Sequence, residues 1–253
     1  MKKALLALML ALAVAGTAQA AEIITFTGTN GSNLAASAKF EWPVSGNLVV
    51  TLTNTSTFDV DDPPDVLTAL FFDLSAGVTL TPVSAYLGSG STWFFDTTAP
   101  NPGTTGGNVG GEWAYAPSLV GAPRGATNGI GSAGFGLFGS FNFNGPELYP
   151  PTAVNGLDYG IVSAGDNPGT GNAKVTGGVP LIKNSVVFTL GYTGTINYIG
   201  NVSFQYGTAL DEPNFGQAFG NEFGSTVPDG GTTAALLGLS MLGLGFLRRL
   251  KKS

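Results

Sequence analysis

Leu48-Val49-Val50-Thr51-Leu52-Thr53-Asn54 is the stretch that decides the fold class. Successive side chains of an extended strand point to opposite faces, so Leu48, Val50 and Leu52 share one face and Val49, Thr51 and Thr53 the other. One face is apolar and the other is rich in hydroxyls, as in a half-buried antiparallel strand. Working back, Ser45-Gly46-Asn47 is a turn, and Ala36 to Trp42 alternates in the same way. Asn30 to Asn33 is a second turn, and Ile23-Ile24-Thr25-Phe26-Thr27 a first strand. The opening of the chain therefore reads as a β-meander.

Working forward, Asp59-Val60-Asp61-Asp62-Pro63-Pro64-Asp65 interrupts the pattern, because two prolines cannot sit in a central strand. Val66 to Leu74 is nearly all apolar and reads as a strand covered on both faces. Further strands are expected at Leu80 to Leu87, bent at Pro82, and around Trp93-Phe94-Phe95, Gly111 to Tyr115, Gly134 to Phe143, Leu157 to Val162, Ser185 to Leu190 and Ile199 to Tyr206. Loops are expected at 97–111, 117–132, 146–151 and 165–178. Long helical patterns and fixed-period repeats are missing from this part of the sequence. The expectation is an all-β ectodomain of about ten strands, a β-sandwich or jelly roll, with a signal peptide before it and one hydrophobic helix after it.

The two ends carry the address. Lys2-Lys3 is a positive n-region, Ala4 to Ala15 an apolar h-region, and Ala18-Gln19-Ala20 a signal-peptidase site, which predicts a mature start at Ala21. The Sec translocon and signal peptidase are the implied partners. At the other end Val227-Pro228-Asp229-Gly230-Gly231 precedes an uncharged run, Thr232 to Leu247, and then Arg248, Arg249, Lys251 and Lys252. As a helix that run would be roughly 24 Å long, a short span for a hydrocarbon core of ~30 Å. The cations would hold its far end on the cytoplasmic side. The predicted division is a signal peptide at 1–20, an ectodomain at 21–210, a linker at 211–226 and a tail at 227–253.

The order of motif, hydrophobic helix and basic cluster resembles the PEP-CTERM class of bacterial sorting tails. The variant it is most like reads Val-Pro-Asp-Ser-Gly, with Gly230 here in place of Ser. That resemblance implies recognition by exosortase, an integral-membrane Cys enzyme, transient residence in the inner membrane, and delivery to the surface or extracellular matrix of a Gram-negative-type bacterium. An ordinary membrane anchor is the alternative; the short span and the motif at its outer edge favour sorting. The ectodomain resembles the XDD family of exosortase-dependent surface proteins. This rests on Thr25 to Leu52, on Val66 to Asp73 with Leu80 to Ala85, on Asn155 to Gly160 and on Asn201 to Thr208. That family implies an address and no chemistry.

Composition narrows the function classes. The stretch 21–226 holds four basic residues (Lys39, Arg124, Lys174, Lys183) against 15 acidic ones, a net charge of −11. Such a surface argues against nucleic acid and against anionic lipid headgroups. Cys and His are both absent, so neither disulfides nor a Ser-His-Asp or Cys-His site can form. The expectation is a protein that is not an enzyme and has no required cofactor. Asp59, Asp61, Asp62 and Asp65 are candidate Ca²⁺ ligands, although EF-hand spacing is missing; a solvated acidic loop is the plainer reading. Trp42, Trp93 and Trp113, with Tyr115 and Tyr149, are candidates for stacking on sugars of an exopolysaccharide, and equally for the core. Asp158 with Asp166, or Glu112 with Glu147, are the carboxylate pairs a hydrolase would need.

Overall fold

In the computed structural model the described residues are 21–31, 33–43, 46–94, 107–139, 141–144, 154, 156–167, 169–171, 175, 179–217 and 221–222. The signal-peptide residues Ala18 and Ala20, the motif Val227 to Gly231, the basic cluster Arg248 to Lys252, Glu147 and Tyr149 lie outside them. The compact unit spans Glu22–Phe223. Among the described residues it is all-β, and the helical pieces are three-residue 3-10 turns.

One sheet contains β1 (Glu22–Asn30), β2 (Leu34–Trp42), β3 (Asn47–Asn54), β11 (Ser185–Thr193) and β5 (Thr79–Leu87), in that spatial order. Every neighbouring pair in it is antiparallel. Leu48, Val50 and Leu52 are buried and Val49, Thr51 and Thr53 only partly so, as the alternation predicts. Strand β5 runs through Pro82, and the register against β11 shifts at Thr189/Leu190 to absorb it.

The second sheet is branched. Its path is β13 (Asn214–Gln217), β12 (Tyr198–Tyr206), β4 (Leu67–Leu74), β9 (Ile161–Val162), β10 (Leu181–Lys183) and β6 (Thr92–Phe94). Strand β14 (Asn221–Glu222) pairs with the start of β12, and β8 (Asn128–Gly131) with both β4 and β7 (Ala114–Pro117). The pairing of β9 with β10 is parallel. Strand β4 is covered on both faces: Leu70 and Phe72 belong to the main core, whereas Phe71 lies under Leu119, Phe135 and Phe138.

The two sheets share one core. Phe40 of the first meets Phe72 of the second edge-on at 5.4 Å. Phe188 of β11 packs on Trp113 at 5.0 Å and on Phe143 at 5.2 Å.

Four stretches differ from the sequence expectation. The stretch 117–132, expected to be a loop, ends in β8. Its Gly129 and Gly131 hide the strand pattern, and they are needed there: a Cβ on Gly131 would sit 2.8 Å from the Phe138 ring. Conversely, the described residues of 134–143 form no strand. Positive φ at Phe135 and Gly136 turns the chain, and only isolated bridges at Asn142 and Asn144 follow. Residues 156–159 form a turn with Tyr159 at φ 57°, so only Ile161–Val162 of that expected strand is extended. The stretch from Asp211, read as linker, contains β13, which pairs with Val202 to Gln205 of β12.

The connections define two ends. At one, residues 75–78 lead from β4 to β5 and residues 194–197 from β11 to β12. Ser75 stitches them: its N–H donates to the Tyr198 carbonyl at 3.1 Å, and its Oγ accepts from the Asn197 and Tyr198 N–H groups at 2.8 and 2.9 Å. At the other end Tyr206 lies opposite Leu67, and Gly207 N–H donates to the Val66 carbonyl at 2.8 Å.

Candidate functional site

The acidic segment leads into β4 at the second of these ends. Asp62, Pro63, Pro64 and Asp65 form a capped 3-10 turn. Proline suits its first position, where an N–H would have no helical partner. Asp65 Oδ2 accepts from the N–H groups of Asp61 at 3.2 Å and Asp62 at 3.1 Å. Asp59 Oδ1 accepts from Asn167 N–H at 3.0 Å, and Asp166 Oδ1 accepts from Val60 N–H at 2.8 Å. Two loops distant in sequence are thus clamped reciprocally, each through a carboxylate on the other's backbone. The Lys183 ammonium donates to the Asp166 carbonyl and adds a third tie.

Asp59 and Asp65 are engaged by backbone N–H groups of the loops themselves. Among the described residues no group of three or more Asp or Glu side chains converges as a metal site. Asp166 is only 4% exposed. Burial pushes its carboxyl above the usual carboxylate range, against the Val60 N–H, which favours the charged form. Asp158 is half-buried and is also pushed up by burial. Glu112 is buried at a 3-10 turn.

The clamp forms one wall of a cleft of about 400 Å³, lined among others by Asn33, Leu34, Thr57, Phe58 and Asp61. Phe58 at its rim is 49% exposed. Asn54 at its floor is buried and already bonded, Nδ2 to the Ile161 carbonyl and Oδ1 from Ser56 N–H.

The tryptophans lie elsewhere. Trp113 is fully buried against Phe188, and Trp42 is 4% exposed at the inner end of β2. Neither ring offers a face to a sugar, which corrects their candidacy; the alternation that makes β2 amphipathic places Trp42 with Phe40 on the inner side. Trp93 is half-buried in β6 opposite Ile182. Tyr115 is buried, its hydroxyl donating to Asn128 Oδ1 at 2.7 Å.

Two carboxylate clamps are not read from the sequence as clamps, although Asp166 is named there as the partner of Asp158 in a hydrolase pair. Asp166 stands in a Gly-rich loop with nothing near it in sequence to mark it. Asp73, at the end of an apolar run, accepts from Thr127 N–H at 2.8 Å, Thr127 Oγ1 at 2.7 Å and Asn201 Nδ2 at 3.0 Å. Asn201 at φ 51° was the available signal only in hindsight, since Asn is one of the few residues that tolerate that region.

No curated protein and no solved structure matches the chain. A family model described as "VPDSG-CTERM motif" matches residues 226–251. The C-terminus is a PEP-CTERM-like sorting tail, the mark of an exported protein sorted to the cell surface through that segment.

Proposed function

We propose that this is a non-catalytic surface protein whose C-terminal tail is read and removed by exosortase after Sec export and signal-peptide cleavage at Ala20. The observation that carries the reading is the tail match at 226–251. The order of parts behind it adds weight: the Val227-Pro228-Asp229 motif, an uncharged 232–247 long enough for a short membrane helix, and four cations. The ectodomain is the passenger, a sandwich of two sheets akin to the XDD surface proteins, destined for the surface or matrix of a Gram-negative-type cell. A passenger role fits a chain without His or Cys whose best-placed carboxylates are tied to backbone N–H groups.

Intact-mass measurement of the protein released by its native host tests the reading. The expected form starts at Ala21 and lacks Arg248 to Lys252. A released form that retains both ends would end the proposal.

A further inference from the structure

Both ends of the folded unit lie at the same pole. Strand β1 begins with Glu22 opposite Trp42, and the Tyr192 hydroxyl donates to the carbonyl of Pro43 beyond it. Asn47 lies opposite Gly191, and Thr193 opposite Thr79. On the other sheet β14 closes on the start of β12, Glu222 opposite Tyr198. These positions surround the stitched loops 75–78 and 194–197, which contain no charged residue. Ile23, one residue into β1, is 58% exposed there.

The opposite pole is acidic. It gathers Asp59, Asp61, Asp62 and Asp65, the clamped Asp166, and Asp211 and Glu212 of the loop 207–212; among the described residues Lys183 is the cation held with them. The eight residues of β4 separate the poles by roughly 25 Å at about 3.3 Å per residue. Glu22, Glu41, Asp73 and Glu222 stand at or next to the strand ends of the first pole, against the seven carboxylates named at the second, so the asymmetry is one of degree.

Only residues 223–226 lie between β14 and the sorting motif. Four residues span at most about 14 Å when fully extended. We infer that, before the tail is cut, the ectodomain docks on the bilayer surface through the pole formed by 75–78, 194–197 and the first residues of β1, with the acidic pole turned away. The inference rests on the tail being inserted. A tether this short brings the pole with the uncharged loops 75–78 and 194–197 within reach of the headgroups, and anionic headgroups repel the more carboxylate-rich pole. The partner is the lipid surface itself.

The chain has no cysteine, so single cysteines report position cleanly. The full-length protein is reconstituted in phosphatidylcholine/phosphatidylglycerol vesicles and labelled with a fluorophore at Ala76→Cys or Thr195→Cys, or at the acidic pole at Thr57→Cys or Thr208→Cys. All four positions are exposed. Headgroup-nitroxide lipid is expected to quench the first pair several-fold more than the second. Equal quenching, or the reverse order, in protein that floats with the vesicles overturns the docking and leaves the tail reading standing. Protein that fails to float overturns both.

Discussion

The two sheets solve the same problem in different ways. In the five-stranded sheet the side chains do the work by alternation alone: Ala38 and Phe40 of β2 lie opposite Leu52 and Val50 of β3, which in turn lie opposite Val186 and Phe188 of β11. In the branched sheet every strand but β4 and β12 is short, β4 is buried on both faces, and much of the cover comes from turns. There the order depends on residues that act singly, such as a glycine beneath a ring or a carboxylate across two loops. Regular alternation spreads stability over many equivalent contacts, whereas the branched sheet concentrates it in a few.

The largest effect is expected where the sheets meet. Phe188 of β11 touches Trp113 and Phe143, which come from the branched side. Phe188→Ala removes a fully buried ring and leaves a cavity between the layers, at a cost of about 3–5 kcal/mol. Denaturant unfolding should show it as one cooperative loss. Two separate transitions would mean that the sheets do not share a core energetically.

Gly131→Val sharpens the contrast. A Cβ there meets Phe138 at 2.8 Å and the Ala133 carbonyl at 3.2 Å, so the cover over Phe71 must lift. A destabilisation of about 1–3 kcal/mol is expected. By contrast Thr51→Val, on the partly exposed face of β3, should change stability by no more than about 0.5 kcal/mol. If the two substitutions cost the same in thermal melts, the sheets are not different in kind.

The same contrast explains which parts were legible. Strands β1 to β4 are readable because each shows either period-two alternation or an apolar run bounded by turn residues. Strand β8, Asn-Gly-Ile-Gly, carries no such pattern, since its glycines are chosen for what lies above them. The aromatic and glycine run at 134–143 has the composition of a strand, but positive φ at Phe135 makes it a turn. Strand β13 looks polar because it needs only one apolar anchor, Phe215, which stacks on Tyr206 at 5.3 Å. At the acidic loop the sequence reveals the carboxylates but not their partners. Asp166 lies 106 residues from Val60, a pairing that no local pattern encodes. The tail was the most legible part, because its three segments follow one another without a gap.

Asp166 gives a smaller break in the branched half. Asp166→Ala leaves the buried Val60 N–H without its acceptor and frees one side of the loop clamp. About 1–3 kcal/mol is expected. Faster proteolysis should begin within 58–62, with the five-stranded sheet still protected; uniform loss of protection would assign Asp166 to the global fold instead.

The smallest effect is on pH. Burial raises the carboxyl pKa of both Asp166 and Asp158 in the folded chain. The folded state therefore holds these protons more tightly than the unfolded one, whose carboxyls titrate near 3.9. Their contribution to stability is fully present below that value and is lost as pH rises through the raised folded values. Repulsion among the 15 carboxylates of 21–226 eases in the same direction on mild acidification. The melting temperature should thus rise by a few degrees as pH falls from neutral into the upper carboxylate range. Asp166→Asn separates the two causes. It keeps an oxygen for the Val60 N–H while removing the titration, so it should stabilise the chain near pH 7 and flatten the pH dependence. A melting temperature that falls steadily on acidification in the parent but not in Asp166→Asn would show that the clamp is stabilised by its charge, and would move the weak point of the branched sheet from burial to electrostatics.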